Sequence, residues 1–331
     1  MSQDRQTTRG IQEDRIDAGS PLAGTEVVAE APESMSHICV CICTYKRPLP
    51  LKRLLNELTR QQTGGLFTYS IVVVDNDETR SGEDTVAEVR STSAVPIQYW
   101  VEPRRGIAPA RNAVVAHANG DFLAFIDDDE FPTSSWLLAM FNTCREFKVD
   151  GVLGPILRHF DETPPAWLRK SHLLDRRVKA TGTPIDWRQT RTGNVLLRNR
   201  VVEADPEPFR PEFKSGEDKD FFRRKIEAGY SFMWSADGEV FEVVAPSRWK
   251  RMYFVRRGLL NGAMEVKTPA FGAREVVKSL IAIPLYTVAL PFTLLLGQHR
   301  FMGLLVSLSC HLGKITALLG IQAIPEEYVT D

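Results

Sequence analysis

The sequence predicts an α/β fold: a mostly parallel sheet with helices on both faces, followed by a hydrophobic helical segment. Three observations predict it. Strand-type and helix-type segments alternate from residue 37 to residue 126. The strand segments are continuous apolar runs, as expected of strands covered on both faces. Polar residues gather where those runs end, which is where open α/β sheets bind ligands.

The elements follow in order. Ile38–Cys43 is a short apolar run bounded by Thr44-Tyr45-Lys46-Arg47-Pro48, a strand and then a loop. Leu49–Leu58 has apolar residues at 51, 54, 55 and 58, the spacing of one helix face. Ser70–Val74 is a second apolar β-branched run and ends in Asp75-Asn76-Asp77. Asp84–Arg90 suits a helix, Ile97–Val101 a third strand, and Ala108–Ala118 a helix whose Pro109 falls in the tolerated first turn. Gly120 breaks the chain, and the strand Phe122–Ile126 then runs into Asp127-Asp128-Asp129. Beyond residue 150 the pattern loosens. Gly151–Leu157 and Asn194–Leu197 read as strands, 160–192 as a long loop with short helices, Asp218–Ala228 as a helix, and 230–234 and 239–244 as strands.

Composition sets the outer limits. With 331 residues, 43% hydrophobic, the chain accommodates one large α/β domain and an accessory segment. A net charge of −1 excludes a global basic field for nucleic acid. The charge is nevertheless uneven: residues 1–36 hold seven acids and three bases, residues 245–278 eight bases and two acids. The acidic start reads as a disordered tail, not a secretory signal. Of five cysteines, Cys39, Cys41 and Cys43 alternate along one strand and so share a face, with Cys144 and Cys310 elsewhere. An odd, clustered set with no Cys-x-x-Cys pair argues against a disulfide framework and suits a reducing compartment.

Ser279–Gly297 is uncharged over nineteen residues, and Phe301–Gly313 is uncharged again. The first stretch is just long enough to cross a membrane. Pro284 and Pro291 would kink it, so an interfacial or re-entrant helix competes with a span, and a buried hairpin packed on the globular domain is the bland alternative. The bases of 248–278 place the preceding domain on the cytoplasmic side. The expected organisation is a disordered acidic tail over 1–36, an α/β domain over 37–245, a basic amphipathic linker or helix over 246–278, hydrophobic membrane-associated helices over 279–321, and a tail over 322–331.

The residues that carry chemistry sit at the strand ends. Asp127 and Asp129, one residue apart after an apolar strand, can converge on Mg²⁺ or Mn²⁺, hard cations that favour oxygen ligands and keep phosphate oxygens as partners. A plain acidic loop is the structural alternative. Asp75 is placed to accept a nucleobase N–H or a ribose hydroxyl, or else to cap a turn. Arg111-Asn112 offers groups to steady phosphate or to orient the Asp triplet. Glu217-Asp218 opens a helix, where acids are favoured by the helix dipole and where a positioned Asp can act as a general base.

In this order, Cys43-Thr44-Tyr45-Lys46-Arg47, Val74-Asp75-Asn76, Ala110-Arg111-Asn112, Gly120-Asp121-Phe122, Asp127-Asp128-Asp129, Thr192-Gly193-Asn194 and Gly216-Glu217-Asp218 resemble the motifs of glycosyltransferase family 2, over about residues 37–245. Within that family the runs from Asp121 to Glu130 and from Gly216 to Phe222 are most similar to bacterial exopolysaccharide glycosyltransferases of the succinoglycan type. The resemblance implies a GT-A fold and inverting transfer from a nucleotide-sugar, a UDP-sugar favoured, to a lipid-linked or glycan acceptor at the cytoplasmic face of the inner membrane. It implies that Thr44, Tyr45, Arg47, Asp75, Arg111, Asn112, Asp127 and Asp128 bind the nucleotide. Asp127 and Asp129 would bind the divalent cation, and Asp218, with Glu217 beside it, would be the base. One position departs from the pattern. Where relatives often carry a His in the last strand, this chain has Phe241 followed by Glu242. A sugar nucleotidyltransferase should open with a Gly-rich loop, which residues 44–48 are not. An aspartyl-phosphate phosphatase would place Asp-x-Asp near its start. A catalytically silent membrane scaffold would have lost an acid, yet Asp75, Asp127, Asp129 and Asp218 are all present.

Overall fold

The computed structural model describes residues 35–213, 216–267 and 271–321. The tails expected over 1–36 and 322–331 fall outside the described residues but for the last two of the first. In chain order the elements are β1 (Ser36–Thr44), α1 (Pro48–Leu58), β2 (Phe67–Asp75), α2 (Glu83–Thr92), β3 (Ile97–Val101), α3 (Ile107–His117), β4 (Phe122–Ile126), β5 (Glu130–Pro132), α4 (Trp136–Glu146), β6 (Gly151–Leu153), β7 (Ile156–His159), α5 (Ala166–Arg169), β8 (Asn194–Arg198), α6 (Glu217–Glu227), β9 (Phe232–Trp234), β10 (Val240–Val243), α7 (Arg251–Val266), α8 (Ala273–Leu295) and α9 (Gln298–Leu318).

A seven-stranded sheet has the order β3-β2-β1-β4-β8-β6-β9, and a three-stranded sheet the order β5-β10-β7. Strands β3, β2, β1 and β4 are parallel; β8 runs antiparallel to both β4 and β6. Period-two alternation on β1 divides the core. Ile38, Val40 and Ile42 join a cluster with Leu51, Leu54, Leu55 and Leu58 of α1. Cys39, Cys41 and Cys43 face the other way, against Ala108, Ala110 and Val114 of α3. All five cysteines are free thiols. The buried leucines of α1 show why this helix holds: each side chain removed from water contributes about 1.5–3 kcal/mol, and Pro48 falls where a first-turn proline leaves no bond unmade.

One expectation needs correction, and two helices gain bounds. Gly151–Leu157 is not one strand: Gly154-Pro155 interrupts it, and the halves enter different sheets. Pro155 has no N–H to donate to a ladder, and its carbonyl instead accepts from Val240. The basic helix begins at Arg251, after a short turn over Pro246–Trp249, and runs to Val266. The first apolar stretch is a single 23-residue helix that continues through Pro284 and Pro291.

Candidate active site

Strands β2 and β3 leave β1 on one side and β4 lies on the other, so the loops after β1 and β4 part and leave a crevice between them. Residues from both loops meet there. The Thr44 hydroxyl donates to Asp128 at 2.8 Å, and one guanidinium nitrogen of Arg47 donates to both Asp128 and Asp129 at 3.1 Å. Burial pushes the Asp128 carboxyl up to about 6, against the pull of Arg47 and with a further push from Asp129. Burial opposes the Arg47 charge, yet the two aspartates hold its pKa above the ordinary arginine value.

Asp127 is the most open of the triplet, with 48% of its side chain exposed. Lost hydration at the cleft floor, and then Asp128, Glu242 and Asp218, raise its pKa against Arg111. Arg111 is buried and pairs with Glu217, the first residue of α6, while lying 3.9 Å from Asp127. It therefore ties the start of α6 to the end of β4. Burial raises Glu217 although Arg111 touches it, and the neighbouring Asp218 adds to the rise. Asp218 follows on the first turn of α6, partly exposed, and accepts from the Lys219 N–H at 2.7 Å.

The opposite wall comes from the smaller sheet. Glu242 lies in register with Glu130, and the Val243 N–H donates to the Asp129 carbonyl at 3.1 Å. Glu242 pairs with Arg176 at 2.8 Å and Arg248 at 3.0 Å, and Arg248 also lies 3.7 Å from Asp129. Burial drives the Glu130 carboxyl well above the usual carboxylate range. The same loss of hydration, with repulsion from Arg176, brings Arg191 down to about 10. Phe241, on the other face of β10, stacks on Phe131 at 5.4 Å. Gly193 closes the floor: a Cβ there would lie 2.8 Å from an Asp127 oxygen and 2.9 Å from a Glu130 oxygen. The close approach of this segment to the acids thus requires glycine.

Not every residue expected at the site presents a free group to it. Asp75 is fully buried; it accepts from the Gly82 N–H at 2.7 Å, the Tyr99 hydroxyl at 2.8 Å and the Asp77 N–H at 3.1 Å. It shapes the loop after β2. Asn112 is spent on the Phe209 backbone, donating at 2.7 Å and accepting at 2.9 Å, and so anchors the segment before α6. Tyr45 keeps a partly exposed ring flanked by Arg105, whose guanidinium also donates to its hydroxyl. Arg176, Arg191 and Arg248 were not legible as site residues, since each reaches the crevice from a separate segment, although Arg191 directly precedes the Thr192-Gly193-Asn194 motif; Glu130 directly follows the acidic triplet, which was the clue to it.

The cleft suits a divalent cation by charge. Burial raises the pKa values of Asp127, Asp128 and Asp129, mutual repulsion adds to the rise, and Arg111, Arg47 and Arg248 oppose it only in part, so three crowded carboxylates share this end of β4. Among the described residues no three metal-ligating side chains converge. A cation held by Asp127 and Asp129 would complete its shell with water and ligand oxygens, the usual arrangement for Mg²⁺ at phosphate sites. Beside the cleft, a pocket of about 150 Å³ lies where the sheets meet α7 and α9, bordered by Arg158, Arg176, Glu242, Arg248, Arg257 and Val306 among others.

Residues 39–203 match the model of Glycosyl transferase family 2. The chain is 30% identical over 311 residues to the succinoglycan biosynthesis protein ExoM of Rhizobium meliloti strain 1021, covering 90% of this chain and 97% of that protein. It is 29% identical over 206 residues to glycosyltransferase AglE of Haloferax volcanii, covering 62% of this chain and 66% of AglE. Among solved structures it is similar to the mannosyltransferase PcManGT of Pyrobaculum calidifontis in complex with GDP-Man and Mn²⁺, with a TM-score of 0.58, 18% identity and coverage of 89% and 90%. It is also similar to S. aureus TarS 1–349 in complex with UDP-GlcNAc, with a TM-score of 0.51, 18% identity and coverage of 86% and 80%. At these identities the structural likeness concerns the fold, which is GT-A.

Proposed function

The chain belongs to glycosyltransferase family 2, and from that premise we propose that it transfers a hexosyl group from a nucleotide-sugar to a hydroxyl of a lipid-linked saccharide in exopolysaccharide assembly. The observation that carries this reading is the meeting of Asp127–Asp129 with Arg111-Glu217 and Asp218 across the crevice between β1 and β4. It sets carboxylates for a cation and a diphosphate beside a carboxylate free to take a proton. The succinoglycan relative supports the exopolysaccharide role.

In this reading the ring of Tyr45 borders the base, and Thr44, Arg47 and Asp128 form the floor under the ribose and phosphates. Arg191 and Arg248 supply positive charge beside the diphosphate. A divalent cation on Asp127 and Asp129, when bound, supplies charge neutralisation for the departing diphosphate. Asp218 removes the proton of the acceptor hydroxyl as it attacks the anomeric carbon from the face opposite the diphosphate, so the configuration inverts and no covalent sugar–enzyme species forms. Glu217, held by Arg111, fixes the first turn of α6 that carries Asp218. The pocket between Glu242 and α7 stands on the acceptor side, and its arginines suit the phosphates of a lipid carrier. Two apolar helices suit attachment to the cytoplasmic face of the membrane, with Arg274 and Lys278 at the start of α8 toward anionic headgroups.

The test is transfer of radiolabelled sugar from nucleotide-sugars into the lipid extract of a membrane fraction, by the wild type and Asp218→Asn. Label should enter the lipid fraction only with the wild type. Equal incorporation by both would remove Asp218 from the base role, and label confined to water-soluble products would remove the lipid-linked acceptor.

A further inference from the structure

The packing of α7 against α9 decides how the apolar helices can meet a membrane. The two helices run side by side in the same direction: Arg251 bonds to Gln298 at one end at 2.8 Å, and Glu265 pairs with Lys314 at the other at 2.9 Å. Between these ends the backbones touch. A Cβ on Gly262 would lie 2.0 Å from the Cys310 carbonyl oxygen, and one on Gly313 would lie 2.1 Å from that of Leu259. Helix α8 returns antiparallel along α9, with Ser279 bonded to His311 at 2.9 Å. Its exposed residues include Leu280, Ile281, Leu285, Val288, Phe292 and Leu295, a continuous apolar face. On α7 the exposed residues are Arg251, Met252, Arg256, Arg257, Asn261 and Glu265, polar in all but Met252 at its first turn.

A spanning α9 would therefore carry α7 into the bilayer with it. Gly258 rests on Val306 and Ser309, near the middle of α9, so Arg256, Arg257 and Asn261 would sit at the level where charge is most costly. Val306 also borders the pocket that holds Arg158, Arg176 and Glu242 of the catalytic domain, and that pocket would be drawn into the hydrocarbon too. We propose that α7, α8 and α9 form a slab lying in the plane of the membrane surface, with the apolar face of α8 in the acyl region of one leaflet and the polar face of α7 toward water. The occupant of that face is a leaflet bearing anionic headgroups, because exposed Arg274, Lys278 and Arg300 flank it at its two ends. The inference rests on the membrane attachment proposed above and not on the transfer chemistry.

The test places single cysteines just before α8, Gly272→Cys, and in the first turn of α9 beyond its other end, Arg300→Cys, and one on the catalytic domain, Ala87→Cys, in full-length protein carrying Cys310→Ala. A membrane-impermeant maleimide is applied to sealed spheroplasts and to inverted vesicles. All three sites should react from the same side and only from that side. Reaction of Gly272→Cys or Arg300→Cys from the side opposite Ala87→Cys would show a span and overturn the proposal, as would an end that reacts only after detergent. Recovery of the protein in the soluble fraction would instead overturn membrane attachment itself, a separate readout of the same preparation.

Discussion

Arg111→Met tests whether the start of α6 is held by a single buried cation. The side chains of Arg111 and Glu217 are 9% and 6% exposed, so removing the arginine leaves a carboxylate with little access to water. Breaking a buried pair from one side costs about 3–5 kcal/mol, which at ordinary urea sensitivities moves an unfolding midpoint down by roughly 1 M or more. The loss should depend on pH in a definite sense. Glu217 already has a raised pKa, from burial first and Asp218 next, and without Arg111 it rises further. A carboxyl whose folded pKa exceeds its unfolded value favours the fold while protonated and opposes it as pH climbs through the interval between the two. Arg111→Met should thus be closest to the wild type near pH 5 and furthest from it at pH 8. Adding Glu217→Gln should recover most of the stability and little of the transfer rate, since neither variant restores the tie to β4. Urea unfolding in detergent, followed by tryptophan fluorescence at both pH values, reads these differences. A single variant within about 0.5 kcal/mol of the wild type, the scatter of an ordinary surface change, or a double variant no more stable than the single, would refute the reasoning.

Three further outcomes follow from the same geometry. Asp218→Asn should lower turnover by roughly 10²–10⁴, the usual worth of a general base, while donor affinity measured by titration stays within about threefold; near-normal turnover would contradict its role. Gly193→Ala should force the Asp127 and Glu130 carboxylates apart, with overpacking costing about 1–3 kcal/mol and cation-dependent donor affinity falling at least about tenfold; unchanged affinity would show that the floor yields. Burial pushes the Cys43 thiol up to about 12 and the Cys144 thiol up to about 11. At pH 8 the thiolate fraction of Cys43, which is half-buried, should be roughly a thousandfold below that of a free cysteine, so iodoacetamide should modify Cys43 far more slowly than a free thiol and leave the buried Cys144 unmodified; mass spectrometry of alkylated peptides checks this, and labelling of Cys43 at the free-thiol rate, or of Cys144 at all, would contradict it.

The parallel half of the fold was legible because each of its strands is a contiguous apolar run and β1, β2 and β3 lie beside one another in chain order, only β4 crossing over to the far side of β1. Ile38, Val40 and Ile42 against Leu51, Leu54, Leu55 and Leu58 is a pairing that periodicity alone describes. The other half was not, because its pairings are set by tertiary packing: β8 enters between β4 and β6 with the opposite direction, and Pro155 sends Ile156–His159 to a second sheet. Helix α4, with Trp136, Leu137, Met140 and Phe141 buried, carries helical spacing that went unread behind the acidic triplet. At the site, contiguous motifs revealed Thr44, the triplet and Glu217-Asp218. They revealed nothing of which carboxylate is free. Asp75 and Asn112 have the composition of ligand-binding residues, but the backbone of Gly82, Asp77 and Phe209 had already claimed them.

The central claim is that this crevice binds a nucleotide-sugar through a divalent cation. Calorimetric titration of the purified protein with UDP, GDP and a panel of their sugar conjugates, first with Mg²⁺ or Mn²⁺ and then with EDTA, addresses it most directly. The account predicts that one nucleotide class binds and that EDTA abolishes the heat. Absence of binding by every nucleotide to well-folded protein, or binding undiminished by EDTA, would contradict it.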